Sequence, residues 1–260
     1  MNATVAAQMS SADFLKLRKK RGMLAWALVL ALAPILIYFI VRVAQHSSNS
    51  VKYAPAGGIE GFTDGIRILA SFFGPLAAIL IGVEAGAGDV AAGVFRDLVV
   101  TGRSRLALFA SRVPAALAVT WIVIAAGYAL LLIGTYAFAS NEPTPSAALV
   151  FNGLGFALLT TGVISVVACG FAALTGSRPA ALTVLIGFQL VASPILSGIE
   201  SLGSSRKALL ADALSHFSPV HLGDRQQSVA MSQGLAIVVI AAWLVVFLVL
   251  GAWRTQKMDA

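Results

Sequence analysis

The chain has 260 residues, of which 58% are hydrophobic and only 11% charged, so a water-soluble globular domain is excluded at the outset. Its net charge of +7 does not point to nucleic acid, because the basic residues gather at the ends of apolar runs rather than along one polar face. A single cysteine, Cys169, leaves no internal disulfide and reads as a small packed side chain inside an apolar run.

Asp, Glu, Lys and Arg are absent from 22–41, 68–83, 113–141, 179–199 and 226–253, which is the segregation expected of membrane spans. A helix needs about 20 residues to cross a bilayer core, and six apolar runs of roughly that length follow one another. Ahead of them, Ser10 or Ser11 is placed to cap a short helix. It carries Phe14, Leu15 and Leu17 beside Arg18 and Arg21, a pattern suited to lying along the membrane surface with basic groups on lipid phosphates.

The first span is expected over 23–41; its apolar run is too long for the core of a cleaved signal peptide. The others are expected over about 66–83, 113–138, 148–174, 180–197 and 233–253. The predicted fold class is therefore all-α, a single polytopic membrane domain over 1–260. Pro34, Pro75, Pro114 and Pro194 are tolerable within spans, and Gly82 with Gly86 forms a small-residue pair that permits close helix packing.

Lys and Arg divide twelve to six between the two sides, with Lys16, Arg18, Lys19, Lys20, Arg21, Arg96, Arg103, Arg105, Arg112, Arg178, Arg254 and Lys257 on the richer one. Basic loops stay in the cytoplasm, so both termini are expected inside, in the inner (plasma) membrane. An even number of spans requires the termini to share a side, and the charge count agrees.

Chemistry is conspicuous by its absence from the spans. They hold no mid-span ionisable group for ion coupling, and His46, His216 and His221 all fall between spans on the poorer side. His216 and His221 miss helical metal-ligand spacing, so no metal site and no catalytic residue is assigned. No Gly-Lys dipeptide occurs, hence no P-loop, and the chain is expected to bind no cofactor and not to be an enzyme. Energy for transport must then come from another chain. Between the second and third spans, 82–112 reads GVEAGAGDVAAGVFRDLVVTGRSRLALFASR, with Val90, Val94 and Leu98 on a helical period. Such a segment is too polar for lipid and too apolar to stand alone in water.

Those residues resemble the membrane subunits of ABC-2 type exporters, the antibiotic-export and sodium-export permeases. In that family a cytoplasmic loop after the second helix carries an acidic residue, a Gly four later, an apolar and basic helix, then Pro-x-Ser-Arg and a Lys seven on. Asp89 and Gly93 match the first two, Val94, Phe95, Arg96, Asp97 and Leu98 follow, and Arg103, Ser104 and Arg105 fall in the later motif, with Gly102 at the usual proline and Arg112 at the lysine. An interfacial helix before the first span, and a re-entrant or interfacial stretch between the last two that ends in Ser218-Pro219-Val220-His221, extend the likeness. The resemblance implies a permease subunit whose coupling helix docks on a separate ATPase. Asp89, Gly93, Val94, Phe95, Arg96, Leu98, Arg103 and Arg105 would form the docking surface, with Asp89, Arg96 and Arg105 in polar contact. Implied partners are two copies of a cytoplasmic ABC ATPase subunit holding ATP and Mg, a second copy of this chain or a similar permease, and membrane lipid. The implied cargo is an amphipathic drug, antibiotic or lipid. An integral-membrane enzyme or assembly factor and an ion-coupled carrier are the alternative readings.

Overall fold

The computed structural model describes residues 3–94, 97, 100, 102, 104–220 and 231–257. Every regular element among them is helical. Six helical rods are long and apolar enough to cross a membrane, which makes the chain a multi-pass membrane protein by length and composition.

Helix α1 (Ala3–Lys19) turns at Lys20 into α2 (Arg21–Ser48), the first rod. The second rod runs Gly58–Ala91 and comprises α3 (Gly58–Ile66), a π-helical stretch (Arg67–Phe73) and α4 (Gly74–Ala91). The third and fourth rods are α5 (Arg105–Ala137) and α6 (Ala147–Thr175). The fifth, Arg178–Gly198, is again interrupted: α7 (Arg178–Gly187), a π stretch (Phe188–Ala192) and α8 (Ser193–Gly198). A 3-10 segment (Glu200–Ala208) and α9 (Leu210–Ser215) precede the sixth rod, α10 (Gln233–Lys257).

All six expected spans are found, and each rod outruns its apolar core. The second rod differs most, at 34 residues or about 51 Å. Glu60, Asp64 and Arg67 mask its first turns from a hydropathy reading, yet they are neutralised locally. Arg42 reaches Glu60 at 2.8 Å, and Asp64 accepts from Arg67 at 3.0 Å and from the Tyr38 hydroxyl at 3.1 Å. The segment 42–65 is accordingly mostly helical, because α2 continues to Ser48 and α3 begins at Gly58.

Both π stretches have the same cause. Pro75 and Pro194 lack the N–H that would close an α-turn on the carbonyl four residues earlier, so the preceding turn widens.

Polarity is arranged inside out. Trp26, Ile40 and Phe151 are 66%, 66% and 72% exposed, whereas Thr120, Thr161 and Ser165 are fully buried between rods. Lipid-facing apolar groups with small polar residues at helix contacts are the signature of packing in a bilayer. The Gly82 and Gly86 pair does permit close approach: a Cβ at these positions would lie 2.3 Å from the Ser165 carbonyl oxygen and 2.2 Å from that of Cys169. These glycines seat α4 on α6, the most extensive helix pairing in the molecule.

The stretch before α10 folds back into the bundle. The Trp243 indole, ten residues past Gln233 and so about 15 Å along α10, donates to the Ala208 carbonyl at 2.9 Å. Leu210 and Leu214 of α9 pack in one cluster with Ile164 and Val167, in the middle of α6. This places α9 at the depth of the rods' centres. It carries Asp212, 4% exposed, whose two carboxylate oxygens have no hydrogen-bond partner among the described residues. The spans themselves hold no such group, and the short α9 delivers one to the same depth.

Candidate functional site

Lys16 and Lys20, the start of α5 and the end of α10 lie at one end of the bundle, the basic end, where the second and third rods are joined by 92–104. The second rod stops as its sequence directs. Ala92 ends the helix, Gly93 takes the left-handed conformation (φ 71°), and the Gly93 and Val94 amides donate back to the Val90 and Asp89 carbonyls at 3.0 and 3.1 Å. Ser104 then caps α5, its hydroxyl accepting from the Ala107 amide at 3.2 Å. Between them Gly102 is also left-handed (φ 80°), a conformation closed to proline.

Beneath this connection lies a buried charge network. Asp89 is 6% exposed and accepts from Lys16 at 2.8 Å through one oxygen and from Arg112 at 3.0 Å through the other. Arg112, 3% exposed, also donates to the Gly86 carbonyl at 3.0 Å. Lys16 meets Asp13 at 3.2 Å, and Asp13 accepts from the Ser111 hydroxyl at 2.6 Å. One turn before Asp89, Glu84 pairs with Lys20 at 3.0 Å and with Arg178 of the fifth rod. Three carboxylates and four cations therefore tie α1, the turn before α2, α4, α5 and α7 together at the root of one loop. Buried charges such as Glu84, Asp89 and Arg112 are tolerated when paired, while Lys16, Lys20 and Arg178 keep 40%, 39% and 37% of their side chains exposed; together the pairs hold the five segments in a single register.

The expected docking residues divide. Asp89, expected to reach a partner, faces inward instead: at the last turn of α4 its carboxylate is the hub of the network, and that role consumes its hydrogen-bonding capacity. Val94 is 40% exposed and Asp97 and Val100 are exposed, so the connection does present an apolar and acidic surface outward. Arg105 donates to the Gln256 carbonyl at 2.9 Å and thereby fastens the start of α5 to the end of α10. Phe95, Arg96, Leu98 and Arg103 lie outside the described residues, as does His221. In α1, Leu17 is 4% exposed and Phe14 packs against the core, while Arg18 and, at the start of α2, Arg21 face outward. Ser10 and Ser11 do not start this helix; it begins seven residues before Ser10, at Ala3, and runs through both.

Lys16 and Lys20 were legible only as topological charges. Their spacing of four, matched loosely by Glu84 and Asp89 five apart, is the one signal that could have paired the two helices. No family model and no curated protein matches the chain.

Proposed function

We propose that this chain is the membrane-spanning permease subunit of an ATP-binding-cassette exporter in the inner (plasma) membrane, with both termini cytoplasmic. The observation that carries the reading is the charge-locked root of the 92–104 connection. A loop mounted on one helix end would move that helix alone. A loop whose root is ion-paired to five segments transmits a push to the whole bundle, which is what coupling to a separate ATPase requires.

In this reading Val94 and Phe95 as apolar groups and Arg96, Arg103 and Arg105 as basic ones dock on a cytoplasmic ATPase subunit. Two such subunits serve two permease chains, and ATP and Mg stay on the ATPases. Helix α1 lies at the cytoplasmic interface, with Arg18 and Arg21 toward lipid phosphates, and the segment holding α9 is re-entrant from the outer side. The cargo is an amphipathic drug, antibiotic or lipid. The apolar exterior and the basic asymmetry support this placement.

The test is purification in mild detergent with any accompanying Walker-motif ATPase, comparing wild type with Val94→Asp, Phe95→Asp. Asp89 is left alone, since its replacement would disturb the fold. Loss of the ATPase from an otherwise folded variant is the expected result; an ATPase absent from both preparations would end the exporter reading.

One observation favours a second reading, an ion-coupled carrier. Asp212 sits buried at the depth of the rods' centres, with Ser197 and Arg206 as its polar neighbours. Transport that survives ATP depletion and stops with the proton gradient, or with Asp212→Asn, would select the carrier.

A further inference from the structure

A cavity of about 60 Å³ lies at the centre of the bundle, bounded by the second, fourth, fifth and sixth rods and floored by α9. Both π stretches open onto it. Ser71 comes from the first, Phe188 and Gln189 from the second. Widened turns of this kind carry side chains off the regular helical faces and recur at binding sites.

Two of its hydroxyls are unsatisfied. The Thr160 Oγ1 and Ser71 Oγ oxygens are shielded from solvent and have no hydrogen-bond partner among the described residues. Thr160 is 5% exposed, and both residues line the cavity. A buried hydroxyl without a partner costs about 1–3 kcal/mol, so something is needed to pair with each. By contrast, Thr161 and Thr255 answer their own helices by donating to carbonyls four residues back. Gln189, Ser193 and Ser215 also line it; otherwise the wall is apolar and aromatic, with Phe156, Phe188 and Trp243, and no charged side chain lines it. The site is not sealed, since Phe188 and Gln189 are half-exposed and their neighbour Val191 is 57% exposed.

We propose that this cavity binds the head of a neutral amphiphile, a molecule with one hydroxyl, ketone or ester group and an aliphatic tail. The head oxygen pairs with Ser71 and Thr160, and the tail follows the apolar wall past Phe188 toward the lipid beside the fifth rod. Ions and zwitterions are rejected, because no counter-charge waits among these walls and desolvating them is prohibitive. Ordered water held by Ser71, Thr160, Gln189, Ser193 and Ser215 is the rival occupant.

The inference supplies a ligand class for the exporter reading and rests on that reading only in calling the ligand cargo. Binding itself is measured on the chain alone, so its failure leaves ATPase docking untouched, and the converse holds. The probe is azioctanol, a diazirine-bearing aliphatic alcohol, photolysed with the purified protein in lipid nanodiscs and mapped by peptide mass spectrometry. Labelling is expected on the two π stretches and α9, competed by octanol but not by octane. Thr160→Val with Ser71→Ala is expected to lower site labelling about tenfold, while Thr160→Ser, which keeps the hydroxyl, retains it. Thr160→Val alone nearly conserves shape and serves if the double variant fails to fold. Labelling that is confined to the lipid-facing exterior, or that octane competes equally, or that Thr160→Val leaves unchanged, overturns the proposal and leaves the cavity to water.

Discussion

Replacing Asp89 with Asn is isosteric and removes one negative charge from the root of the 92–104 connection. Arg112, 3% exposed, then keeps the Gly86 carbonyl at 3.0 Å but loses the carboxylate at the same distance. Removing the carboxylate from this buried ion pair costs about 3–5 kcal/mol. Arg112→Met is expected to cost less, about 2 kcal/mol, because Asp89 retains Lys16, whose side chain is 40% exposed and partly hydrated. The double variant removes both members of the pair and is expected to recover at least about 1.5 kcal/mol of the summed loss. Thermal unfolding in detergent reads these values. At about 2 °C per kcal/mol for a chain of this size, Asp89→Asn should lower Tm by about 6 °C or more. Single effects below about 2 °C, or single and double effects that add within about 0.5 kcal/mol, would refute the claim that these charges act as one buried unit.

Two further predictions follow from other parts of the fold. Gly86→Ala places a Cβ 2.2 Å from the Cys169 carbonyl oxygen and 2.9 Å from the Ala172 Cβ, so α4 and α6 must part, with an expected loss of about 1–3 kcal/mol in unfolding measurements. Gly155→Ala on α6 meets nothing within 4 Å and should be neutral or stabilising by up to about 1 kcal/mol, which separates a packing effect from a helix-propensity effect.

The six rods were legible because crossing a bilayer is a one-dimensional requirement, met by uninterrupted apolar length that any window along the chain can measure. The close seat of α4 on α6 was legible from Gly82 and Gly86 for a similar reason, since small residues at a helical interval announce a contact without naming its partner. Hydropathy missed the ends of the rods. Glu60 and Asp64 look like loop residues until Arg42 and Arg67 are seen to neutralise them.

The candidate site was visible only as separate charges. Asp89 and Arg112 stand 23 residues apart and Lys16 and Asp89 stand 73 apart, and nothing in the spacing of a chain says which charges meet across helices. Asp89 illustrates this: its position at the last turn of α4 faces α1 and α5, which only packing decides. Asp212 is the complementary case. Six residues of α9 are too short and too polar to register as a membrane segment, and their depth is imposed by contacts with α6 and the Trp243 hydrogen bond. Sequence by itself determined what this chain is dissolved in and how often it crosses, because solvation acts on each segment independently. Tertiary structure alone decided which charges and hydroxyls share a buried space, because pairing depends on distances that close only when the helices pack.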